Sequence, residues 1–211
     1  MNVEVAKQIA HSLLKIGAVK LSPTNPFTWV SGWKSPIYCD NRCTLGDVQV
    51  REQICEAFVN LIRSKYPDVE VIAGVATGAI AHGMLVAERL KLPFAYVRAE
   101  RKEHGLKKVV EGANPEGKKV VVIEDLVSTG KSSASALVHL KEEQANVLGM
   151  AAIFTYEFDE ARKKFEELGV DLITLSGYTA LVEQALEDGY IHLRDVEALK
   201  KWRSEPDKFL K

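Results

Sequence analysis

The sequence has few cysteines and no excess of either charge, and both shortages narrow its function. Three cysteines, Cys39, Cys43 and Cys55, occur among 211 residues, with neither C-x-x-C spacing nor a partnering histidine cluster. We therefore expect free thiols rather than a zinc site or a disulfide framework. The formal net charge is −1, whereas a general nucleic-acid binder or membrane-surface binder needs a net basic face. We expect no nucleic-acid or membrane partner.

Long apolar runs are also missing. No segment approaches the roughly 20 apolar residues that span a bilayer, and the first seven residues lack the basic region and apolar core of a signal sequence. We expect a cytoplasmic protein. Because 46% of the residues are hydrophobic and 27% are charged, the chain can bury one sizeable core, which predicts a single domain over residues 1–211.

Apolar spacing predicts an α/β fold. Helical spacing marks residues 5–16 and 50–62, and from residue 69 short β-branched runs alternate with helical patterns. Repeated strand-helix units indicate a central, mostly parallel sheet flanked by helices. The predicted strands are residues 69–74, 93–97, 119–123, 147–154 and 171–175, and the helices that follow are residues 80–90, 132–142, 157–167, 178–186 and 196–202. The domain divides into an amino-terminal part (1–45), an α/β core (66–176) and a helical carboxyl-terminal segment (177–211).

The most informative segment, residues 120–133, joins a buried strand to two acids and a hydroxyl-rich loop. Glu124 and Asp125 follow the predicted strand, at the sheet edge where open α/β folds hold ligands. Ser128 and Thr129 begin a loop that leads into a helix, and backbone N–H groups at a helix start form a phosphate cradle with nearby hydroxyls. Carboxylates repel phosphate but accept hydrogen bonds from sugar hydroxyls. The segment therefore predicts a sugar-phosphate site.

Two other interpretations of this segment stay open. Strings of this kind are common in α/β proteins, where they mark a buried strand followed by a capped helix. Residues 130–132, Gly-Lys-Ser, also match the end of a nucleotide-binding P-loop. That motif requires a glycine where this chain has Asp125, and a carboxylate inside a phosphate nest is electrostatically unfavourable.

Residues 73–80 form a second candidate phosphate loop, directly after the first core strand. Gly74 and Gly78, with three alanines, let a ligand approach the backbone closely. Tight packing of the strand on the following helix would produce the same pattern. Paired with residues 120–133 the loop gains weight, because a pyrophosphate and a 5′-phosphate need separate sites at opposite ends of one ribose.

A charged stretch, residues 98–112, lies between two predicted core strands. Residues 98–119 contain seven Lys or Arg against four Glu. Such a stretch is either a solvated hairpin or a functional lid. As a lid it would fold Arg98, Lys102 and His104 over a leaving pyrophosphate, neutralising charge while water is excluded.

An aromatic-rich segment, residues 27–41, precedes the sheet. Trp29, Trp33 and Tyr38 surround Ser-Gly and Lys-Ser-Pro turns. By itself this composition indicates only that the segment covers an apolar surface.

Three motifs of the chain resemble known families. Residues 120–133 are very similar to the phosphoribosyl-pyrophosphate (PRPP) signature of the type I phosphoribosyltransferases. The order Phe-Thr, Ser-Gly, Lys-Ser-Pro in residues 27–36 resembles the amino-terminal hood of orotate phosphoribosyltransferases, and residues 98–112 resemble their charged loop. Together the motifs extend the resemblance over most of the chain.

The resemblance implies a fold, a reaction and an assembly. The fold is that of the type I phosphoribosyltransferases, with a hood in residues 1–45 and a flexible lid loop. The reaction converts orotate and PRPP to orotidine 5′-monophosphate and pyrophosphate. Mg²⁺ is the implied cofactor, carried on PRPP rather than bound directly by the protein. The implied assembly is a homodimer in which each lid loop helps to complete the other subunit's site.

The resemblance also implies roles for individual residues. Lys102, His104 and Asp125 are the implied catalytic residues, and Ser128, Lys34 and Tyr38 the implied orotate contacts. The pyrophosphate loop is Val75, Ala76, Thr77 and Gly78, with a cis peptide bond between Ala76 and Thr77. Contacts to PRPP are implied for Arg98, Lys102, His104, Glu124, Asp125, Leu126, Val127, Ser128, Thr129, Gly130, Lys131 and Ser132, with the two acids on the ribose hydroxyls.

Four positions depart from the better-known bacterial pattern. Val30, Gly78 and Ala99 stand where relatives carry cations, and Tyr156 stands where some place an arginine near orotate. Fewer cations should therefore surround the ligand, and Lys34 is our first candidate partner for the orotate carboxylate. Two alternative functions stay open, a purine phosphoribosyltransferase and a regulator that binds PRPP without catalysis. The regulator should lack the lid cations that this chain keeps.

Overall fold

The amino-terminal part of the computed structural model is a helix followed by short strands. The structure describes residues 2–29, 32–98 and 109–208. Helix α1 (Val3–Lys15) is capped by Asn2, whose Oδ1 accepts the Glu4 N–H at 3.0 Å. The short strands form two antiparallel pairs, β1 (Val19–Leu21) with β4 (Ile37–Cys39) and β2 (Phe27–Thr28) with β3 (Lys34–Ser35). A 3₁₀ helix (Asn41–Gly46) then leads into α2 (Val48–Lys65).

One six-stranded sheet with helices on both faces follows. Its strands are β5 (Val71–Val75), β6 (Phe94–Val97), β7 (Val110–Gly112), β8 (Lys119–Val127), β9 (Asn146–Thr155) and β10 (Leu172–Gly177), and the helices are α3 (Ile80–Leu90), α4 (Lys131–Glu142), α5 (Asp159–Leu168), α6 (Tyr178–Glu187) and α7 (Leu193–Ser204). The spatial order is β10-β9-β8-β5-β6-β7, and every neighbouring pair is parallel except β6 with β7. This arrangement confirms the predicted α/β fold.

Strand β8 lies near the middle of the sheet and is buried on both faces. Val120 and Val122 pack in one hydrophobic core with α4 and α5, whereas Val121 and Ile123 pack in a second core with α1, α2 and α3. Successive side chains of a strand point to opposite faces, so burial on both faces requires a continuous apolar run. The β-branched sequence of residues 120–123 supplies that run.

The predicted end of β8 at residue 123 is wrong, because the strand continues to Val127. Its pairing with β9 extends to Val127 and Thr155, so Glu124 and Asp125 lie inside the strand rather than beyond it. The pairing of β8 with β5 ends at Ile123 and Gly74. From Glu124 onward β8 therefore has a strand neighbour on one side, and its other side opens towards a cavity.

The carboxyl-terminal helices bind the hood to the rest of the molecule. Trp202 of α7 is fully buried, and its indole N–H donates to the Lys34 carbonyl at 3.2 Å. The ring of Trp202 also contacts those of Trp29, Tyr156 and Tyr178. Across the described ranges, no helix is long and apolar enough to cross a membrane.

Candidate functional site

A cavity of about 750 Å³ opens at the carboxyl ends of β5 and β8. Three chain segments and one arginine line it: residues 39–42 after β4, residues 75–78 after β5, Arg98 after β6, and residues 125–136 of β8 and α4, except Val127, Ser133 and Ala134. The structure thus brings both predicted phosphate loops to the same cavity. This position at the carboxyl edge of a parallel sheet is where α/β folds hold ligands.

The loop of residues 75–78 contacts Asp125 very closely. An added Cβ at Gly78 would lie 2.1 Å from Oδ2 of Asp125, so only glycine fits while the carboxylate keeps this position. At Gly74 an added Cβ would lie 2.7 Å from the Ala79 carbonyl oxygen, which fixes the close approach of strand and helix. The Ala76–Thr77 peptide bond is cis, which confirms the prediction for this bond.

The loop of residues 128–132 lines the same cavity. Gly130 is the N-cap of α4, with a φ of 74°, and contributes no capping side chain. The first N–H groups of α4 therefore lack the cap that a serine or aspartate would give them, and they lie beside the Ser128, Thr129 and Ser132 side chains. Such an arrangement favours an anion. Lys164 of α5 steadies the loop by donating to the Thr129 carbonyl at 3.1 Å.

The two acids of β8 have different environments. Asp125 lines the cavity. Glu124 is 3% exposed, and its carboxylate accepts hydrogen bonds from Ser133 Oγ at 2.9 Å and from the Asp125 N–H at 3.0 Å. Burial, reinforced by the charge of Asp125, raises the pKa of Glu124 well above its usual range. The role of Glu124 on a ribose hydroxyl stays a prediction, and its carboxylate would have to turn away from Ser133.

Several other predicted site residues are only partly brought together. Arg98 lines the cavity, and its Nη1 lies 3.2 Å from Oε1 of Glu111. Lys102 and His104 fall outside the described residues, as does most of the proposed lid. Leu126 lines the cavity, whereas Val127 is fully buried and does not.

The predicted orotate contacts separate into two groups. Ser128 lines the cavity, but Lys34 and Tyr38 do not. The Lys34 ammonium donates to Thr28 Oγ1 at 2.8 Å, and the Tyr38 side chain is partly exposed next to Phe27. Tyr156, one of the two departure positions among the described residues, is buried. Burial raises the pKa of the Tyr156 phenol.

Sequence reasoning missed the contribution of residues 40–42. Asn41 is buried, and its Nδ2 donates to the backbone carbonyl of Asp125 at 2.6 Å. Arg42 donates through Nε and Nη2 to the two carboxylate oxygens of Asp40, each at 2.7 Å, and thereby lowers the pKa of Asp40. The polar string Asp-Asn-Arg after the aromatic segment was the available signal. Nothing in its spacing relates it to Asp125, which lies 84 residues further on.

The charges at the cavity suit an anionic ligand that carries its own cation. Arg42, Arg98 and Lys131 line it, against the carboxylates of Asp40 and Asp125. Within residues 2–29, 32–98 and 109–208, no cluster of three His, Cys, Asp or Glu side chains could hold a metal ion. Asp40 is already paired with Arg42.

Comparisons with known proteins agree with this geometry. The sequence model of the phosphoribosyl transferase domain family matches residues 47–181. The chain is 51% identical over 205 residues to the orotate phosphoribosyltransferase of Lactococcus lactis subsp. cremoris, covering 97% of this chain and 98% of that protein. Its fold resembles the crystal structure of orotate phosphoribosyltransferase from Aeropyrum pernix, with a TM-score of 0.74 and 27% identity over 87% of this chain and 99% of that one. It also resembles Leishmania donovani UMP synthase, with a TM-score of 0.78 and 23% identity over 94% of this chain but 42% of that chain.

Proposed function

The chain belongs to the orotate phosphoribosyltransferase family, and from this premise we propose that it transfers the 5-phosphoribosyl group of PRPP to orotate. The products are orotidine 5′-monophosphate and pyrophosphate, a step of pyrimidine biosynthesis. One observation carries the proposal. The two predicted phosphate loops, residues 75–78 and 128–132, line the same cavity, and the carboxylate of Asp125, which also lines it, packs against Gly78.

The subsites follow from this arrangement. The 5′-phosphate of PRPP binds residues 128–132, where the uncapped N–H groups of α4 and three hydroxyls can donate to it. The pyrophosphate binds residues 75–78, with Arg98 as the described cation on that side. Asp125 accepts hydrogen bonds from the ribose hydroxyls between the two phosphate sites.

Catalysis on this proposal is mostly positioning and management of charge. The bond from ribose C1 to pyrophosphate breaks largely before the orotate nitrogen bonds, which leaves a cation-like ribose between two anions. Asp125 and the two loops hold the ribose in line with both partners. Mg²⁺ carried on PRPP would neutralise the departing pyrophosphate, since this hard ion is often held chiefly by substrate oxygens and water.

The acceptor end of the site is less closely defined. Ser128 lines the cavity beside the ribose position, which supports its contact with orotate. For the orotate carboxylate, Lys34 stays our candidate, and its ammonium would have to leave Thr28 Oγ1 to reach the ligand. The proposed hood contacts therefore include a movement of the Lys34 side chain.

Three further proposals concern the whole molecule. Residues 98–109 act as a lid that brings Lys102 and His104 over pyrophosphate, and the net positive charge of residues 98–119 supports this role. The predicted bound of the lid at residue 112 is wrong, because residues 110–112 form strand β7, which pairs with β6. The protein works as a homodimer that shares its lids. It resides in the cytoplasm, and the free state of all three cysteines supports a reducing compartment.

The activity is tested by the loss of orotate absorbance when the protein is mixed with PRPP and Mg²⁺. We expect a steady loss that stops when Mg²⁺ is chelated. Adenine, hypoxanthine and uracil in place of orotate serve as controls and should give no nucleotide. A protein that converts a purine base but not orotate would contradict the proposal.

A further inference from the structure

A chain of buried polar groups ends at the backbone of Asp125. Asn41 Nδ2 donates to the Asp125 carbonyl at 2.6 Å. The backbone carbonyl of Asn41 accepts from Thr44 Oγ1 at 2.5 Å, and Thr44 Oγ1 lies 2.9 Å from His82 Nε2. All three side chains are at most 1% exposed. The activity proposed above assigns no role to them.

The proton positions in this chain follow from counting donors. Thr44 has one hydroxyl proton, and we assign it to the shorter contact, the backbone carbonyl of Asn41, so that Thr44 Oγ1 accepts from His82 Nε2. This assignment places a proton on Nε2 of His82. Burial, with a smaller contribution from the Arg51 charge, lowers the pKa of His82 to about 4, which agrees with the neutral form.

Asn41 replaces a missing strand neighbour of β8. The pairing with β5 ends at Ile123, and the pairing with β9 does not use Asp125. Side chains therefore satisfy both backbone groups of Asp125: Glu124 accepts from its N–H and Asn41 donates to its carbonyl. Without these partners, the Asp125 peptide would be free to rotate, or its unpaired N–H or carbonyl would lower the stability of the fold.

These hydrogen bonds link two cavity-lining segments, at Asn41 and Asp125, to α3, the helix that follows the third lining segment. His82 lies in the first turn of α3, directly after the loop of residues 75–78, and Thr44 and Asn41 lie in the 3₁₀ helix after β4. The contact of Gly78 with the Asp125 carboxylate leaves little room for error in the position of Asp125. A small shift of the Asp125 peptide would therefore move the carboxylate relative to both phosphate loops.

We propose that Asn41 is a positioning residue, held by Thr44 and His82, that fixes the Asp125 peptide so that its carboxylate faces the ribose of PRPP. The inference rests on the proposed function. Asn41 acts through Asp125 rather than by touching the substrate, although its side chain also lines the cavity. A double-mutant cycle separates these two possibilities.

The cycle compares wild type, Asn41→Ala, Asp125→Asn and the double variant, with kcat and both KM values measured by orotate consumption. Asn41→Ala should lower kcat/KM for PRPP about tenfold, the effect of one hydrogen bond to an otherwise unpaired group. Its KM for orotate should stay within about twofold of wild type. The kcat/KM for PRPP of the double variant should be no more than about twofold below that of Asp125→Asn alone. The reason is that the side chain that Asn41 positions has already lost its charge in Asp125→Asn. Two losses that multiply, or an equal rise in the KM for orotate, would overturn the proposal.

Matched variants separate positioning from general loss of stability. Ser176→Ala removes a buried hydroxyl bond of the same kind, to the Ala6 carbonyl at 2.8 Å, in α1 and β10 away from the cavity. It should lower stability without a selective change in the KM for PRPP. Thr44→Val should reproduce the PRPP-selective loss. Thr44→Ser keeps the hydroxyl and should show the PRPP kinetics of wild type. If Asn41→Ala does not fold, this Thr44 pair decides the question, and equal PRPP kinetics in its two members would refute the proposal.

Failure of the positioning role can be told from failure of the proposed activity. If wild type consumes no orotate, the activity is wrong, and the cycle is then measured as PRPP affinity by calorimetry without orotate. Coupled losses of PRPP affinity would still support the role of Asn41. Independent losses would reject it.

Discussion

His82 is a titratable residue that the fold keeps uncharged. It is 1% exposed, and its Nε2 is committed to Thr44. Both burial and the nearby Arg51 charge oppose its protonation and lower its pKa from 6.5 to about 4. Protonation would leave a charged imidazolium inside the chain of hydrogen bonds that ends at Asp125. Protonation of His82 should therefore affect both the position of Asp125 and the stability of the fold.

Acid should therefore weaken the fold through His82. Above pH 6.5 neither the folded nor the unfolded state binds a proton there, and below that pH the unfolded state does so first. The free energy of unfolding should fall as pH drops from 6.5 towards 4, by about 2 kcal/mol at pH 5 from this residue alone. Urea unfolding of wild type and His82→Gln at neutral pH and at pH 5 measures the effect. The difference between the two proteins should change in favour of the variant on acidification, and parallel curves would exclude the assigned neutral state.

The loop between β5 and α3 contains two glycines with different neighbours. The added Cβ at Gly78 would meet the carboxylate of Asp125, which can rotate away. The added Cβ at Gly74 would meet the Ala79 backbone carbonyl, which cannot move without the start of α3. Gly78 therefore leaves room for the Asp125 carboxylate, whereas Gly74 leaves room for the start of α3.

Substitution by alanine should affect PRPP binding at one of these glycines and the stability of the fold at the other. Gly78→Ala should leave the free energy of unfolding close to wild type but raise the KM for PRPP about tenfold, because the carboxylate turns away from the ribose. Gly74→Ala should lower the free energy of unfolding by about 1–3 kcal/mol, as overpacking in a rigid core does. Urea unfolding and steady-state kinetics on both variants give the comparison. Unchanged PRPP kinetics in Gly78→Ala would mean that Asp125 is not held against this loop.

Elements with a long apolar pattern could be predicted from the sequence, and short ones could not. The predicted helices and strands of the α/β core lie within a few residues of the observed ones, but strand β7 (Val110–Gly112) was not predicted and lies in the stretch predicted as a lid. The hood strands, such as β2 (Phe27–Thr28), contain two or three residues, too few to show a period. The extension of β8 to Val127 was missed because acids interrupt its apolar run. That extension depends on pairing with β9, which no local pattern reports.

The same limit explains which parts of the site could be predicted. Residues 75–78 and 128–132 carry local loop signals, glycine and hydroxyls after a strand, and both reach the cavity. Asn41 carries no such signal, because its function depends on a contact with Asp125 that only the folded chain creates. The buried position of the Glu124 carboxylate against Ser133 is likewise a tertiary result.

At the scale of the whole molecule, the aromatic cluster joins both ends of the chain to the cavity wall. Trp29 from the hood and Trp202 from α7 both contact Tyr156, and the Trp29 indole N–H donates to the Ile37 carbonyl of β4, the strand that ends at Cys39. Cys39 is the first of the cavity-lining residues 39–42. The aromatic cluster therefore packs the hood against α7 beside the cavity, and residues 98–109 are the segment proposed to close the site.

A shared lid predicts that two defective chains can rescue each other. Lys102→Ala damages the lid, and Asp125→Asn damages the ribose site, so each homodimer should be nearly inactive. In a hybrid dimer both lesions fall in one site and leave the other intact. Each hybrid should recover up to about half the activity of a wild-type dimer, as two-fold symmetry requires. The two variants are assayed for orotate consumption separately and after mixing, and mass spectrometry verifies that subunits have exchanged. No activity above either parent would mean that each lid serves its own chain.

Competition between acceptors tests the central claim most directly. Orotate, adenine, hypoxanthine, guanine and uracil at equal concentrations are incubated with the protein, Mg²⁺ and a limiting amount of PRPP, and the nucleotides are separated by anion exchange. We predict that essentially all of the phosphoribosyl group appears in orotidine 5′-monophosphate, with one pyrophosphate released for each nucleotide formed. A purine nucleotide as the main product, or PRPP left intact under these conditions, would contradict the account.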